Sequence, residues 1–136
     1  MKVGYAVNSI MTKDIVSIED DSPLTHAIKT MVEKNIGSVL VTVEGAMVGI
    51  VTERDILRRL VPGSPYTTLI VRDVMSSPLV TIDGCAAIGE AADLMAERNI
   101  RRLLVTEKGK IRGIVTERDI IRATLDVFKK LSNAWV

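Results

Sequence analysis

The sequence predicts an α+β fold built from two copies of a βαββα unit, and three observations carry that prediction. Residues recur at a constant displacement of 64 positions: Met11 with Met75, Val16 with Val80, Ile18 with Ile82, Ala27 with Ala91, Met31 with Met95, and Asn35-Ile36 with Asn99-Ile100. One segment, Gly49-Ile50-Val51-Thr52-Glu53-Arg54-Asp55-Ile56, returns unchanged as Gly113 to Ile120. Each copy also passes through the same series of apolar patterns, short runs of strand length alternating with stretches of helical spacing.

The elements follow in order. Ile15-Val16-Ser17-Ile18 and Leu79-Val80-Thr81-Ile82 are strand-length apolar runs. Ser22-Pro23 then supplies an N-cap and a first-turn proline, and Leu24, Ala27, Ile28, Met31 and Val32 fall on one helical face. Ile88, Ala91, Ala92, Met95 and Ala96 repeat that face with smaller side chains. Val39–Val43 and Met47–Val51 flank a turn at Glu44-Gly45, and the second copy places Lys108-Gly109 at the same point, so two hairpins are expected. A second helix follows each hairpin, expected to bury Ile56, Leu57, Leu60 and Val61 in one copy and Ile120, Ile121, Leu125 and Phe128 in the other. Pro62-Gly63-Ser64-Pro65 breaks the first of these helices. We place the first repeat at 9–61, a linker at 62–72, the second repeat at 73–125 and a helical extension at 126–136. One copy alone would leave an apolar sheet face uncovered, so the repeats are expected to pack together about a pseudo-twofold axis with two grooves.

Composition narrows the function classes. A chain of 136 residues that is 47% apolar and 26% charged forms one aliphatic-cored module. A net charge of +1 weighs against a nucleic-acid partner, and no stretch approaches the roughly 20 apolar residues of a membrane span. One cysteine, Cys85, and one histidine, His26, exclude an internal disulfide and a Cys/His zinc site, which fits a cytoplasmic setting. His26 reads as a helix-face residue. With no Gly-framed nucleophile and no phosphate-binding Gly-Lys loop, no catalytic residue is assigned and the expectation is a protein that is not an enzyme.

The duplicated octapeptide runs from strand into helix. Thr52 and Thr116 stand where an N-cap belongs, so the following amides and the positive end of the helix dipole form a natural seat for phosphate. The threonine hydroxyl, with Arg54 and Arg118, adds donors for an oxyanion, while Asp55 and Asp119 can accept the two hydroxyls of a ribose. The same Thr-x-x-Asp spacing is also a capping box that needs only local structure. Arginine at the second helical position tips the balance, because the dipole disfavours a cation there and a cap does not require one.

The tandem pattern, with V-M-S-S-P-L-V-T-I opening a copy, N-I-R-R-L-L-V in its middle and G-I-V-T-E-R-D-I near its end, resembles a cystathionine-beta-synthase (CBS) domain pair of the stand-alone type. The resemblance implies an energy-sensing regulatory module that binds AMP, ADP or ATP in clefts between the repeats, with S-adenosylmethionine as a further candidate ligand. It implies ribose contacts from Asp55 and Asp119, phosphate contacts from Thr52, Arg54, Thr116 and Arg118, and a second basic position at Arg101 and Arg102. It also places the adenine beside Ile15, Val16, Leu79, Val80, Ile36 and Ile100, which serve equally as core residues. Gly37-Ser38 stands in the first copy where Arg101-Arg102 stands in the second, so the two clefts should differ, with the Asp55/Arg101/Arg102 cleft binding more tightly. A homodimer and a regulated protein partner of unknown identity are further implications. The alternative is a dimerisation or scaffold module with vestigial clefts. The stripe Leu125, Phe128, Leu131 and Trp135, which has no counterpart after Val61, reads either as a partner surface, foremost for self-association, or as a face that packs back on the module.

Overall fold

A computed structural model describes residues 5–60, 68–76 and 79–134. Val61, the Pro62-Gly63-Ser64-Pro65 break and Trp135 lie outside the described residues. The chain divides into two units, one formed within residues 15–79 and the other from residues within 80–136 together with the N-terminal segment up to residue 14.

The first unit contains β1 (Ser17–Glu19), α1 (Leu24–Lys34), β2 (Ser38–Val43), β3 (Ala46–Thr52) and α2 (Glu53–Arg59). The second repeats the series as β4 (Thr81–Asp83), α3 (Ile88–Arg98), β5 (Arg102–Glu107), β6 (Lys110–Thr116) and α4 (Glu117–Ala134). The expected βαββα order therefore holds in both copies. The strand orders are β1-β2-β3 and β4-β5-β6, with the first pair parallel and the hairpin pair antiparallel.

Local chemistry sets these boundaries. The hairpin turns have positive φ at both central residues, 50° and 84° at Glu44-Gly45 and 52° and 77° at Lys108-Gly109, which matches the right-handed twist of the flanking strands. Helices α1 and α3 end in left-handed asparagines, Asn35 (φ 53°) and Asn99 (φ 52°). Beyond each asparagine the N–H of Ile36 or Ile100 donates back to the carbonyl of Met31 or Met95, at 3.0 Å in both cases. This closing motif tolerates asparagine in the left-handed region and asks for an apolar residue after it, which accounts for the repeated Asn-Ile pair.

The N-termini of α1 and α3 depart from expectation. Ser22 is not a side-chain cap: Pro23 holds the cap position of α1 without a side-chain hydrogen bond. The Leu24 N–H instead donates to the Leu69 carbonyl, and that of Ile88 to the Tyr5 carbonyl, each at 2.9 Å. An incoming chain segment thus satisfies an amide that a helix start leaves open. The segment around 68–76 does this in the first unit and that around 5–12 in the second.

The same two segments complete the cores. Val71 and Val74 join Ile18, Leu24, Ala27, Met31, Val39, Val41, Val51 and Ile56 in one cluster, and Val7 joins Ala91, Met95, Leu103, Val105 and Val115 in the other. Val7 and Val71 are fully buried, each worth about 1.5–3 kcal/mol of apolar transfer. Where these segments cross the third strand, Ser76 bridges Ile50 and Thr12 bridges Ile114. Gly49 and Gly113 lie beneath them. A Cβ on Gly49 would stand 3.0 Å from the Ser76 carbonyl oxygen, and one on Gly113 would stand 2.8 Å from that of Thr12. The close approach that these glycines permit is therefore to the protein's own chain.

The last helices correct the expected core. Ile56 is buried and Ile120 half-buried, but Leu57, Leu60, Ile121, Leu125 and Phe128 are exposed, Leu57 by 69% and Phe128 by 64%. The reason is geometric, since consecutive helical positions point about 100° apart and only one of each Ile56-Leu57 or Ile120-Ile121 pair can face the sheet. No helix among the described residues is long and apolar enough to cross a membrane. His26 lies exposed on α1.

Candidate functional site

Each copy of the octapeptide folds into a complete capping box at the junction of its third strand and last helix. In the first unit the Asp55 N–H donates to Thr52 Oγ1 (3.2 Å), and the Thr52 N–H donates to Asp55 Oδ2 (2.9 Å). The Thr52 hydroxyl also donates to Oδ2, at 3.0 Å. Thr116 and Asp119 reproduce the three distances, 3.2, 2.9 and 3.0 Å. Both aspartates are half-buried, and both Arg54 and Arg118 are exposed.

This geometry alters the expected seat for phosphate. The first helical amides, those of Glu53 and Glu117, donate to the carbonyls of Gly37 (3.1 Å) and Arg101 (2.9 Å). The third are taken by the threonines, whose single hydroxyl proton goes to the aspartate. Two of the first three amides are thus engaged within the protein. The exposed guanidinium groups of Arg54 and Arg118 add donors on the solvent side.

The boxes differ outside the cap. Ser76 Oγ donates to Asp55 Oδ1 at 2.9 Å. Thr12, the residue 64 positions earlier, makes the same backbone bridge to its own strand, yet its hydroxyl makes no hydrogen bond to Asp119. Asp119 Oδ1 accepts no hydrogen bond among the described residues. Beside the second box, Arg101 Nε lies 3.7 Å from Glu117 Oε2, a pair with both side chains more than half exposed. Arg101 thereby sits at the start of α4, in the unit that holds Asp119, and Arg102 begins β5 half-buried.

The apolar positions assigned to an adenine are part of the two cores. Val16 and Ile36 pack against the first cluster, and Val80 and Ile100 against the second, all partly buried. The carbonyls of Val16 and Val80 accept the amides of Leu40 (2.9 Å) and Leu104 (3.0 Å), extending β1 and β4 by one rung. Among the described residues no group of three or more His, Cys, Asp or Glu side chains could hold a metal.

Two features escaped the motif reading. One is Ser76, which the repeat displacement pairs with Thr12 directly after the matched methionines. The other is an ion pair between Arg72 Nε and Asp20 Oδ2, at 2.7 Å, in which the Asp20 residue is only 9% exposed. Its hydrogen bond and charge raise the Arg72 pKa above an already high ordinary value. In the second unit the corresponding residues are Asn8 and Gly84, and no ion pair is possible there.

The chain belongs to the CBS domain family, whose model matches it twice, over residues 7–62 and 71–126. An uncharacterised protein of Methanopyrus kandleri is 34% identical over 122 residues, covering 88% of this chain, which spans 62% of that protein. The crystal structure of an uncharacterised conserved protein from Pyrococcus horikoshii superposes with a TM-score of 0.81 at 34% identity, covering 91% of this chain and 95% of the other. A hexameric CBS-CP12 protein from bloom-forming cyanobacteria has a TM-score of 0.78 at 29% identity, covering 85% of this chain and 66% of that one.

Proposed function

We propose that this CBS domain pair is a regulatory module that binds an adenine nucleotide, AMP, ADP or ATP, through its two Thr-x-x-Asp boxes. The observation that carries the reading is that each box uses only Oδ2 of its aspartate for the cap. Oδ1 of Asp55 and of Asp119 lies outside the cap, as an acceptor suited to ribose hydroxyls. Thr52 and Thr116 hold the carboxylates in place, and Arg54 and Arg118, supplemented by Arg101 and Arg102, supply charge for the phosphates. Val16, Ile36, Val80 and Ile100 offer apolar surface to the base. S-adenosylmethionine shares the ribose but not the phosphates, so it would engage the aspartates without the arginines.

The test is mass spectrometry of small molecules released from the purified protein, followed by calorimetry with AMP, ATP and S-adenosylmethionine. Binding of AMP or ATP that falls about tenfold or more on Asp119→Asn, with the fold retained, is the expected result. No heat and no thermal shift with any adenine compound would overturn it, since ligand at about 100 times its Kd adds about 2.7 kcal/mol of native stability.

A second reading, a self-associating scaffold, is favoured by two observations. Ile121, Leu125, Phe128 and Leu131 form an exposed apolar stripe along α4, and the cyanobacterial relative described above is hexameric. Phe128→Glu should lower the mass seen by sedimentation if α4 joins copies. An unchanged mass would remove that support.

A further inference from the structure

We propose that Ser76 is a built-in occupant of the Asp55 acceptor, a hydroxyl that a diol-bearing ligand must displace, and that the Asp119 box has no such occupant. The inference rests on the reading of Asp55 and Asp119 as ribose acceptors and adds an order of occupancy to it. An ionised carboxylate offers about four acceptor positions, two on each oxygen. Asp55 Oδ2 receives the Thr52 N–H and the Thr52 hydroxyl, and Oδ1 receives Ser76 Oγ at 2.9 Å. One position is left, and a vicinal diol brings two donors. Asp119 Oδ2 is filled in the same way by Thr116, but both positions on Oδ1 remain for a diol.

The cause of the difference is one residue. Ser76 and Thr12 are held in register by paired backbone bonds, Ser76 with Ile50 at 2.8 and 3.0 Å and Thr12 with Ile114 at 2.8 and 2.9 Å. The backbone therefore presents the two side chains alike. Serine turns freely about χ1 and reaches the carboxylate, whereas the β-branch of threonine restricts that rotation. The Ser76 side chain is exposed, so its hydroxyl can swing to water when a ligand arrives, leaving the backbone bridge in place.

This ordering runs against the one expected from Arg101 and Arg102. The open carboxylate is Asp119, so the first equivalent of ligand goes to that box and the Asp55 box fills at higher concentration. A sensor with two thresholds results.

The experiment uses the full chain and AMP as the probe, read by calorimetry, with the boxes separated by Asp119→Asn or Asp55→Asn. In the Asp119→Asn background, Ser76→Ala is expected to tighten AMP binding by about three- to tenfold, the cost of one displaced hydrogen bond. In the Asp55→Asn background, Ser76→Ala should change nothing. A reciprocal variant, Thr12→Ser in the Asp55→Asn background, should weaken AMP binding at Asp119 by a few-fold by installing the missing occupant. Unchanged or weaker binding in the Ser76→Ala, Asp119→Asn protein overturns the inference while leaving the nucleotide reading intact. Absence of AMP binding in every variant overturns both.

Discussion

The two units share a backbone plan and differ in how each ties down the segment that completes it. Both segments are held by equivalent main-chain bonds, Val71 to Ser22, Arg72 to Asp20 and Ser76 to Ile50 in the first unit, and there side chains are added: Arg72 to Asp20 at 2.7 Å, Ser76 to Asp55 at 2.9 Å, and Arg59 to the Asp73 carbonyl at 2.8 Å. In the second, the 5–12 segment makes the matching main-chain bonds, Val7 to Ala86, Asn8 to Gly84 and Thr12 to Ile114, and buries Val7 as the first buries Val71. The lesson is that duplication preserved what the backbone needs, the glycine crossing, the Asn-Ile helix stop and the capping box, while the polar ties around it diverged. Because one of those ties, from Ser76, ends on Asp55 and has no counterpart at Asp119, the divergence bears on function as well as on stability.

The glycine crossings should give a large effect. A Cβ at position 113 would meet the Thr12 carbonyl oxygen at 2.8 Å and Met11 Sδ at 2.7 Å, against 3.0 and 2.9 Å for the equivalent contacts at position 49. A methionine can rotate away, but a carbonyl fixed by two main-chain bonds cannot. Gly113→Ala should therefore lower unfolding free energy by about 1–3 kcal/mol in urea titration, the ordinary cost of overpacking, and Gly49→Ala by somewhat less. If Gly49→Ala proves the more damaging, the side-chain ties of the first unit leave its segment less room to shift than the static distances imply.

The ion pair comes next. Arg72→Ala leaves the Asp20 carboxylate, only 9% exposed at the residue level, without its cationic partner. Asn8→Ala removes the residue at the equivalent place in the second unit, which has no ion pair to Gly84. Thermal unfolding should therefore show a lower Tm for Arg72→Ala than for Asn8→Ala, and equal values would mean that the pair adds nothing beyond the backbone. The pH dependence has a definite sign. A cationic group with a raised folded-state pKa stabilises in full below its unfolded pKa and loses that stabilisation only as pH rises through the folded one. The Arg72 contribution should thus persist through the neutral and moderately alkaline range.

Much of this was legible in the sequence because it is local or periodic. The repeat displacement exposes the βαββα copies, Glu44-Gly45 and Lys108-Gly109 announce tight turns, and Thr-x-x-Asp announces the cap that the structure contains. What was not legible depends on contacts distant in sequence. Nothing in Ser22-Pro23 says that the amide of Leu24 will be met by the Leu69 carbonyl, and nothing near Asp55 points to a serine 21 positions on. A glycine in a sequence shows that a close approach is permitted, not what approaches. Helical periodicity likewise identifies an apolar face without saying how much of it is covered.

That last distinction gives the sharpest check on the α2 and α4 helices, and its exposed positions give the smallest effects. Ile56 is buried against the first core and Leu57 is 69% exposed, although periodicity alone treats them as one apolar face. Ile56→Ala should cost about 2 kcal/mol or more through lost burial and the cavity left behind. Leu57→Gln should stay within about 0.5 kcal/mol of the parent protein in dilute solution, as for other substitutions outside the core. Ile121, 64 positions on and 51% exposed, should behave as Leu57 does at low concentration. The contrast between them is in concentration dependence, because Ile121 continues into the exposed stripe of α4 while the seven-residue α2 ends at Arg59. An Ile121→Gln protein whose stability falls behind that of the parent only as both are concentrated would assign the stripe to self-association. Equal behaviour at all concentrations would leave α4 as a solvated helix.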